Sequence, residues 1–214
     1  MNTPVNPGDP YKKIVKHFDR FTEPFISSIR RIGMNVYPPI EGMRVLDIGC
    51  GTGTALSLYR KAGCSIYGID SSPSMLTEAR NKLGKSAELL LEDASEIHFP
   101  DNFFDLVTCV LALHEMPKGI RSSVLNEMER VSKPAGRILL IDYHPGSMAF
   151  PKGWFYKAVT YYFEIAAGRE HFKNFRDFSA AGGIPGLIAS HNLTFERIET
   201  TGGGIMGIYL LCPG

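Results

Sequence analysis

The chain lacks an excess of either charge. Its 23 lysines and arginines stand against 22 acids, a formal net charge of +1. The basic face usual in a nucleic-acid binder is therefore not expected, and clusters such as Lys12, Lys13, Lys16 and Arg20 read as solvated helix surface. Cysteine is sparse: Cys50, Cys64, Cys109 and Cys212 show no CxxC spacing, and the opening MNTPVNPGDPY has no apolar secretory stretch. Reduced thiols and a cytoplasmic protein are expected. The longest apolar run, residues 106–113, falls well short of the roughly 20 residues that cross a bilayer, so no stable membrane insertion is expected. Repeats and low-complexity tracts are absent. What remains is a globular composition, 44% hydrophobic and 21% charged over 214 residues, enough for one domain with a sizeable core.

Prolines and a glycine make residues 1–10 a loose arm. Residues 11–36 have a helical pattern, with Ile14, Phe18, Phe21, Phe25, Ile29 and Ile32 spaced by three or four. Pro24 is expected to break this helix into two pieces. From residue 44 onward strands and helices alternate, with strands over 44–48, 65–69, 87–91, 104–111 and 137–143. Helices are expected over 54–62, 73–83 and 117–132. Ser72 and Pro73 supply an N-cap and a first-turn proline, and Gly84 a stop. Such alternation means crossover connections, a parallel sheet and helices on both faces: a doubly wound α/β fold. The ending differs. Strands over 194–199 and 205–211 are joined only by TTGGG and must pair antiparallel as a hairpin.

The first strand runs into VLDIGCGTG, residues 45–53. Glycine in regular structure costs roughly 0.5–1 kcal/mol relative to alanine, so three in five positions imply close backbone approach to a ligand. Asp70 ends the next strand, seventeen residues after Gly53. A carboxylate there can accept hydrogen bonds from both hydroxyls of a ribose, or else cap the following helix. Asp93 and Ala94 follow the third strand at the edge where open α/β sheets place ligands, and an acid there can read an adenine amino group. Three strand ends thus line one crevice.

The stretches VLDIGCGTG, GIDSSPSML, LEDASEIHFPDNFFDLVTCVLALHEM and ERVSKPAGRILLID resemble, in order, the motifs of class I S-adenosylmethionine-dependent methyltransferases. Within that family the chain looks similar to the small-molecule, quinone-biosynthesis type. The resemblance covers residues 11–142 and, through the hairpin, the end of the sheet. It implies a Rossmann-like sheet of seven strands, mostly parallel with an antiparallel C-terminal strand. It also implies a single domain over 1–214, with an N-terminal helical cap at 11–40 and a helical substrate lid at 145–180. S-Adenosylmethionine is the implied cofactor. The backbone of Gly49, Cys50, Gly51 and Gly53 would lie against its methionine and ribose, with Asp47 beneath ordering the loop. By the same resemblance Asp70 would bind the ribose, Ser71 and Met75 would flank ribose and adenine, and Asp93 and Ala94 would meet the base. Val110 and Leu111 would close over the adenosine-methionine side. Tyr11 and Phe18 could cover the cofactor, an aromatic near the sulfonium gaining about 0.5–2 kcal/mol, although Phe18 equally suits a helix packed on the core.

Methyl transfer from a sulfonium is an in-line displacement in which positioning is worth about 7–11 kcal/mol. A general base adds about 10²–10⁴-fold where the nucleophile carries a proton. The catalytic candidates are His114, with Glu115, after the fourth strand, and Tyr143 and His144 after the fifth; Asp142 suits a role at the sheet edge. No metal site is expected, because catechol-type magnesium chemistry needs clustered oxygen ligands and only Asp142 is suitably placed. The run LALHEMPKG lacks the acid-Pro-Pro-aromatic pattern of amino-nucleobase enzymes, which leaves a small molecule with an apolar or aromatic body. An oligomer is compatible with all of this. Trp154, Phe155, Tyr156, Tyr161, Tyr162 and Phe163 crowd the following segment. A helix over 153–167 would carry Phe155, Val159, Tyr162 and Ala166 on one face, as a substrate lid or packed on the sheet or a second subunit. His171 and Arg176 could meet an anionic group. Two rival readings are a nicotinamide-dependent (NAD) oxidoreductase and a non-catalytic cofactor-binding or partner protein on the same fold. The short glycine loop, Asp93-Ala94 and the terminal hairpin speak against the first.

Overall fold

The computed structural model describes residues 9, 11, 12 and 14–214, apart from the side chains of Phe21 and Phe25. Of the arm expected at residues 1–10, residues 1–8 and Pro10 lie outside the described residues, as do Lys13 and those two phenylalanine side chains. Seven strands form one sheet: β1 (Arg44–Ile48), β2 (Ser65–Asp70), β3 (Ala87–Leu91), β4 (Phe104–Val110), β5 (Ser132–Tyr143), β6 (Leu193–Thr201) and β7 (Met206–Pro213). Their order is β3-β2-β1-β4-β5-β7-β6. The first five pair parallel, and β7 lies antiparallel between β5 and β6. The expected Rossmann-like fold is present. Among the described residues no helix is long and apolar enough to cross a membrane.

Period-two burial on the central strands explains the layering. Ile138 and Leu140 of β5 face one way, toward α4 (Lys118–Val131), α6 (Arg169–Ala180) and α7 (Gly183–Ile188). Leu139 and Ile141 face the other, toward α1 (Val15–Val36), α2 (Thr54–Lys61) and α3 (Pro73–Leu83). A strand buried on both faces needs apolar residues at successive positions, which the run ILLI of β5 supplies. Ser72 caps α3 as expected, its Oγ accepting from Met75 N–H at 3.2 Å. One expectation is corrected: α1 continues unbroken through Pro24. The proline removes one N–H from the helix ladder, while Ile29, Ile32 and Val36 pack the same helix onto the sheet.

The insert after β5 holds three helices: α5 (Lys152–Ala166), then α6 and α7. The turn of Gly202, Gly203 and Gly204 between β6 and β7 fixes where it starts. All three glycines have left-handed φ, at 63°, 72° and 92°, and Ala149 N–H donates to the Gly203 carbonyl at 2.9 Å. A Cβ on Gly203 would come within 2.6 Å of the Gly153 nitrogen in the first turn of α5, so bare main chain on both sides permits this docking. Gly203→Ala adds both the contact and the φ strain and is expected to cost about 1–3 kcal/mol. Urea unfolding should show a lower midpoint with an unchanged slope; wild-type stability would contradict the docking argument.

Candidate active site

The strand order reverses between β1 and β4, so a crevice opens outside their carboxyl ends. β1 leads into the loop of residues 49–53, where Gly49, Gly51 and Gly53 take φ of 67°, 52° and 73°, a region that side chains rarely adopt. The loop is tied to β2. Gly49 and Cys50 donate to the Ile69 carbonyl at 2.9 and 3.0 Å, and Gly51 N–H donates to Asp70 Oδ2 at 2.8 Å. Asp70 Oδ1 accepts from Ser72 N–H at 2.8 Å. Burial raises the Asp70 carboxyl above its ordinary pKa, with those two backbone donors opposing. A Cβ on Gly51 would meet nothing within 4 Å: the loop presents main chain to open space.

Under the loop sits Asp47, 3% exposed, accepting the Thr108 hydroxyl at 2.6 Å. Burial pushes its carboxyl up to about 6, although Thr108 and the charge of Arg30 pull the other way. Above the loop, Asp19 of α1 accepts from Thr52 Oγ1 at 2.6 Å and from Lys82 Nζ at 2.5 Å. Asp9 accepts from Ser72 Oγ and Ser74 N–H, both at 2.9 Å, and from Tyr11 N–H at 3.0 Å. These contacts set Asp9 and Tyr11 over the crevice.

A second group of side chains assembles at the other side of the crevice. β4 ends at Val110, and Leu111 takes a φ of 56°, a conformation that costs a non-glycine residue about 1–3 kcal/mol. Its N–H is held by the Ile141 carbonyl at 2.8 Å, and the turn brings His114 and Glu115 back over the sheet edge. His114 is 3% exposed. Its Nδ1 lies 2.8 Å from Asp142 Oδ1, and its backbone N–H donates to Asp142 Oδ2 at 3.1 Å. Its Nε2 faces Glu164 Oε1 at 3.5 Å and Glu115 Oε1 at 4.0 Å. His171 Nε2 is 2.8 Å from Glu164 Oε2, an atom buried without an aligned hydrogen bond. Tyr143 donates to Glu164 Oε1 at 2.9 Å, and Tyr11 to Glu115 Oε2 at 2.5 Å.

Charges in this group hold one another. Burial disfavours the imidazolium of His114, but Asp142, then Glu115 and Glu164, outweigh it and hold the pKa at about 9. His171 is raised too: burial opposes its charged form, and Glu164 more than offsets that. Burial acts to raise Glu164, yet the two histidines and the Tyr143 hydroxyl hold it below the ordinary glutamate value. The phenols of Tyr11 and Tyr143 are pushed up, by burial first and by their carboxylate partners second. Buried Arg121 braces the loop behind, with Nε on the Leu113 carbonyl at 3.0 Å and an amino group on the Asn174 carbonyl at 2.6 Å. Asn174 Nδ2 in turn donates to the Glu115 carbonyl at 2.7 Å, which couples α6 to the β4 loop.

The structure thus brings His114 and Tyr143 together with Glu115 and His171. His144 stands apart, its Nδ1 2.6 Å from the Tyr209 hydroxyl on β7. Asp142 does more than close the sheet edge: it orients His114. Met75 is buried, Val110 and Leu111 are half-buried, and Ser71 is exposed. Exposed Asp93 holds Ser95 N–H at 2.9 Å, and Ala94 packs on the core. The face of α5 is turned outward, with Phe155 66% and Tyr162 70% exposed while Glu164 is 4% exposed. Arg176 lies over Phe172 on the surface. Glu164, Arg121 and Asn174 carried no sequence signal beyond their helical positions; only the packing of α5 and α6 brings them in. A cavity of about 180 Å³ lies beside the cluster, lined by Tyr143, His144, Met148, Tyr161, Phe175 and Ser179 among others.

Residues 46–140 match a family model described as a methyltransferase domain. That match covers less than half of the chain, from β1 into β5, and over that stretch the chain is similar to methyltransferase domains. Among curated proteins, the ubiquinone/menaquinone biosynthesis C-methyltransferase UbiE of Burkholderia orbicola is 38% identical over 115 residues, 51% of this chain and 45% of the relative. UbiE of Burkholderia mallei matches to the same extent, so the chain aligns with less than half the length of these relatives. A SAM-dependent methyltransferase from Aquifex aeolicus superposes with a TM-score of 0.62 at 22% identity, covering 96% of this chain and 99% of that one. A Pyrococcus horikoshii protein superposes with a TM-score of 0.66 at 20% identity, covering 88% and 89%. At these identities the two structures share the fold.

The elevated pKa of Asp47 has a stability consequence. The folded protein binds its proton more tightly than the unfolded chain, so the penalty is absent below about pH 4 and complete above about pH 6. Asp47→Asn is therefore expected to stabilise the ligand-free protein at pH 7.5 by on the order of 2–3 kcal/mol. That gain should shrink as the pH falls through 6. Urea unfolding at pH 7.5 and pH 5 measures it, and a pH-independent difference would contradict the assignment.

Proposed function

We propose that the chain binds S-adenosylmethionine over Gly49, Cys50, Gly51 and Gly53 and methylates a small molecule with an apolar or aromatic body. The observation that carries this reading is the placement of an open glycine loop and a strand-end carboxylate, Asp70, on the same edge as a buried polar cluster and an adjoining cavity. The residues fit the cofactor: the loop faces open space above Gly51, and Asp70 already orders the loop's N–H groups. Asp70 would hold the ribose, with Ser71 and Met75 beside it, Asp93 and Ala94 at the base, and Val110 and Leu111 along the adenosine-methionine side. Asp47 and Tyr11 would close the site from below and above. When bound, S-adenosylmethionine supplies a methyl group on a positively charged sulfur.

The chain's own part is positioning and charge. The cavity beside Tyr143, at about 180 Å³, resembles in size the engineered cavities of about 150 Å³ that take a benzene ring. The acceptor's polar group would enter between His114 Nε2 and Glu115 Oε1, which stand 4.0 Å apart. At neutral pH His114 is an imidazolium, so it donates a hydrogen bond there, and Glu115 is the group able to take the acceptor's proton. Tyr143 sets Glu164 and Asp142 sets His114; both act through another side chain. The insert at 145–180 would form the wall of this cavity, and the segment at 11–40 would cap the glycine-loop side of the crevice, within a single domain over 1–214. The quinone-type chemistry named for the UbiE relatives suits an aromatic body of this size. The four free cysteines are in keeping with a cytoplasmic setting.

Thermal-shift comparison tests the cofactor directly. S-Adenosylhomocysteine should raise the melting temperature and NAD should not; stabilisation by NAD alone would overturn the reading in favour of an oxidoreductase. Asp70→Ala is expected to weaken S-adenosylhomocysteine binding by about 1–3 kcal/mol in calorimetry, and unchanged affinity would contradict the ribose assignment. For the acceptor, Ser179→Phe should fill the cavity. It is expected to abolish turnover found with a panel of phenols, quinols, amines and thiols, while S-adenosylhomocysteine affinity stays within about twofold, far below a tenfold change of 1.4 kcal/mol. Retained turnover would place the acceptor elsewhere, and no turnover by the wild-type protein would favour a non-catalytic binder.

A further inference from the structure

We propose that His114, Glu115, Glu164 and His171 form a binding site for one divalent first-row transition-metal ion. Nitrogen and oxygen atoms of His114, Glu115 and His171 all lie within 4.8 Å of one another. Glu164 lies between the histidines, with Oε1 3.5 Å from His114 Nε2 and Oε2 2.8 Å from His171 Nε2. The donors come from three separate parts of the chain: the loop after β4, α5 and α6. They need only small movements, because two ligands on one tetrahedral ion at 2.0–2.2 Å stand roughly 3.3 Å apart.

Two independent features point to a ligand here. The first is Glu164 itself, 4% exposed on a helix whose outward positions are aromatic, with Oε2 buried and facing His171 Nε2 at 2.8 Å. A carboxylate turned inward while Phe155 and Tyr162 face solvent is the reverse of what burial alone would select. The second is the outer layer of hydrogen bonds. Metal-binding histidines characteristically donate their other ring N–H to a carboxylate, and ligating carboxylates are themselves held. Asp142 takes Nδ1 of His114 at 2.8 Å, Tyr143 holds Glu164 at 2.9 Å, and Tyr11 holds Glu115 at 2.5 Å. His114 and Glu115 therefore have their far atoms fixed and their near atoms, Nε2 and Oε1, facing each other at 4.0 Å, while Glu164 is held beside them.

Two imidazoles and two carboxylates are a mixed nitrogen and oxygen set, which favours zinc, iron(II), cobalt or manganese over magnesium or calcium. The ion would displace the protons of the two imidazoles and take over their part in balancing Glu115, Glu164 and Asp142. The site stands whether or not the chain transfers a methyl group. Resting on the reading above, the ion would occupy the gap assigned to the acceptor's polar group and take an acceptor oxygen as a further ligand, which narrows the substrate to a phenol, enol or related oxygen acid.

Chelator-treated full-length protein, without cofactor, is titrated with Zn²⁺ by calorimetry at pH 8, and the Co²⁺-loaded protein is examined by visible absorption. One ion per chain is expected, with cobalt ligand-field bands in the visible. His171→Ala, on the partly exposed side of the site, and Glu164→Gln should each weaken binding at least tenfold and change the bands. His191→Ala, which removes a distant histidine, should leave both unchanged. Absence of stoichiometric binding, or binding and spectrum insensitive to His171→Ala and Glu164→Gln alike, would overturn the site. Neither outcome depends on methyl transfer, so this proposal and the functional reading fail separately.

Discussion

The hydrogen bond between Asp142 and His114 organises the carboxyl edge of the sheet. Asp142 is the next-to-last residue of β5, so its position follows from strand pairing with β4 and β7. It fixes both the ring and the backbone of His114, and the strained Leu111 sets the turn that delivers them. With the ring fixed, Nε2 can point only toward the crevice, where Glu115 and Glu164 meet it. A neutral residue at 142 would leave a buried imidazole without its counter-charge, and burial would then favour an uncharged ring. The geometry of the proposed acceptor side depends on that one strand-borne carboxylate.

Negative charge is the common feature of the crevice. Asp47 beneath the loop, Asp70 on β2 and Glu115 on the β4 loop surround the space over the glycines, and the burial of the first two raises their pKa. A protein that stores ionised or nearly ionised acids out of water gives up stability. On the proposed function, the return is a preset field for a cationic sulfur, which needs no reorganisation when the reaction occurs. The tether of Asp9 across Ser72 and Ser74 and that of Asp19 across Thr52 and Lys82 serve the same crevice from above. They hold Asp9, Tyr11 and the start of α1 over the loop.

Much of this was legible in the sequence, and the reasons are physical. The strands, α2 to α4 and the Ser72 cap follow from short apolar runs alternating with helical periodicity, and the closing hairpin from a turn too short for a crossover. The glycine loop and Asp70 were legible because only bare backbone and a strand-end acid fit those places. His114 and Tyr143 could be placed at the edge by counting from strand ends. Pro24 misled, because tertiary packing of α1 outweighs one missing hydrogen bond. Glu164 was not legible as a site residue, and His171 was read only as a contact for an anionic group. Their contribution depends on how α5 and α6 rotate onto the sheet, and an aromatic-rich helix ordinarily turns its rings inward. Here Gly153 seats α5 against the Gly203 turn, and the carboxylate is the group that faces the core.

In the proposed reaction the glycine loop serves the methyl donor and the polar cluster the acceptor, across one crevice. A crystal structure with S-adenosylhomocysteine tests this most directly. The nucleoside should lie along residues 49–53 with its ribose on Asp70 and its sulfur directed at the space between His114 and Glu115. A nucleoside bound elsewhere, or a sulfur turned away from those two side chains, would contradict it.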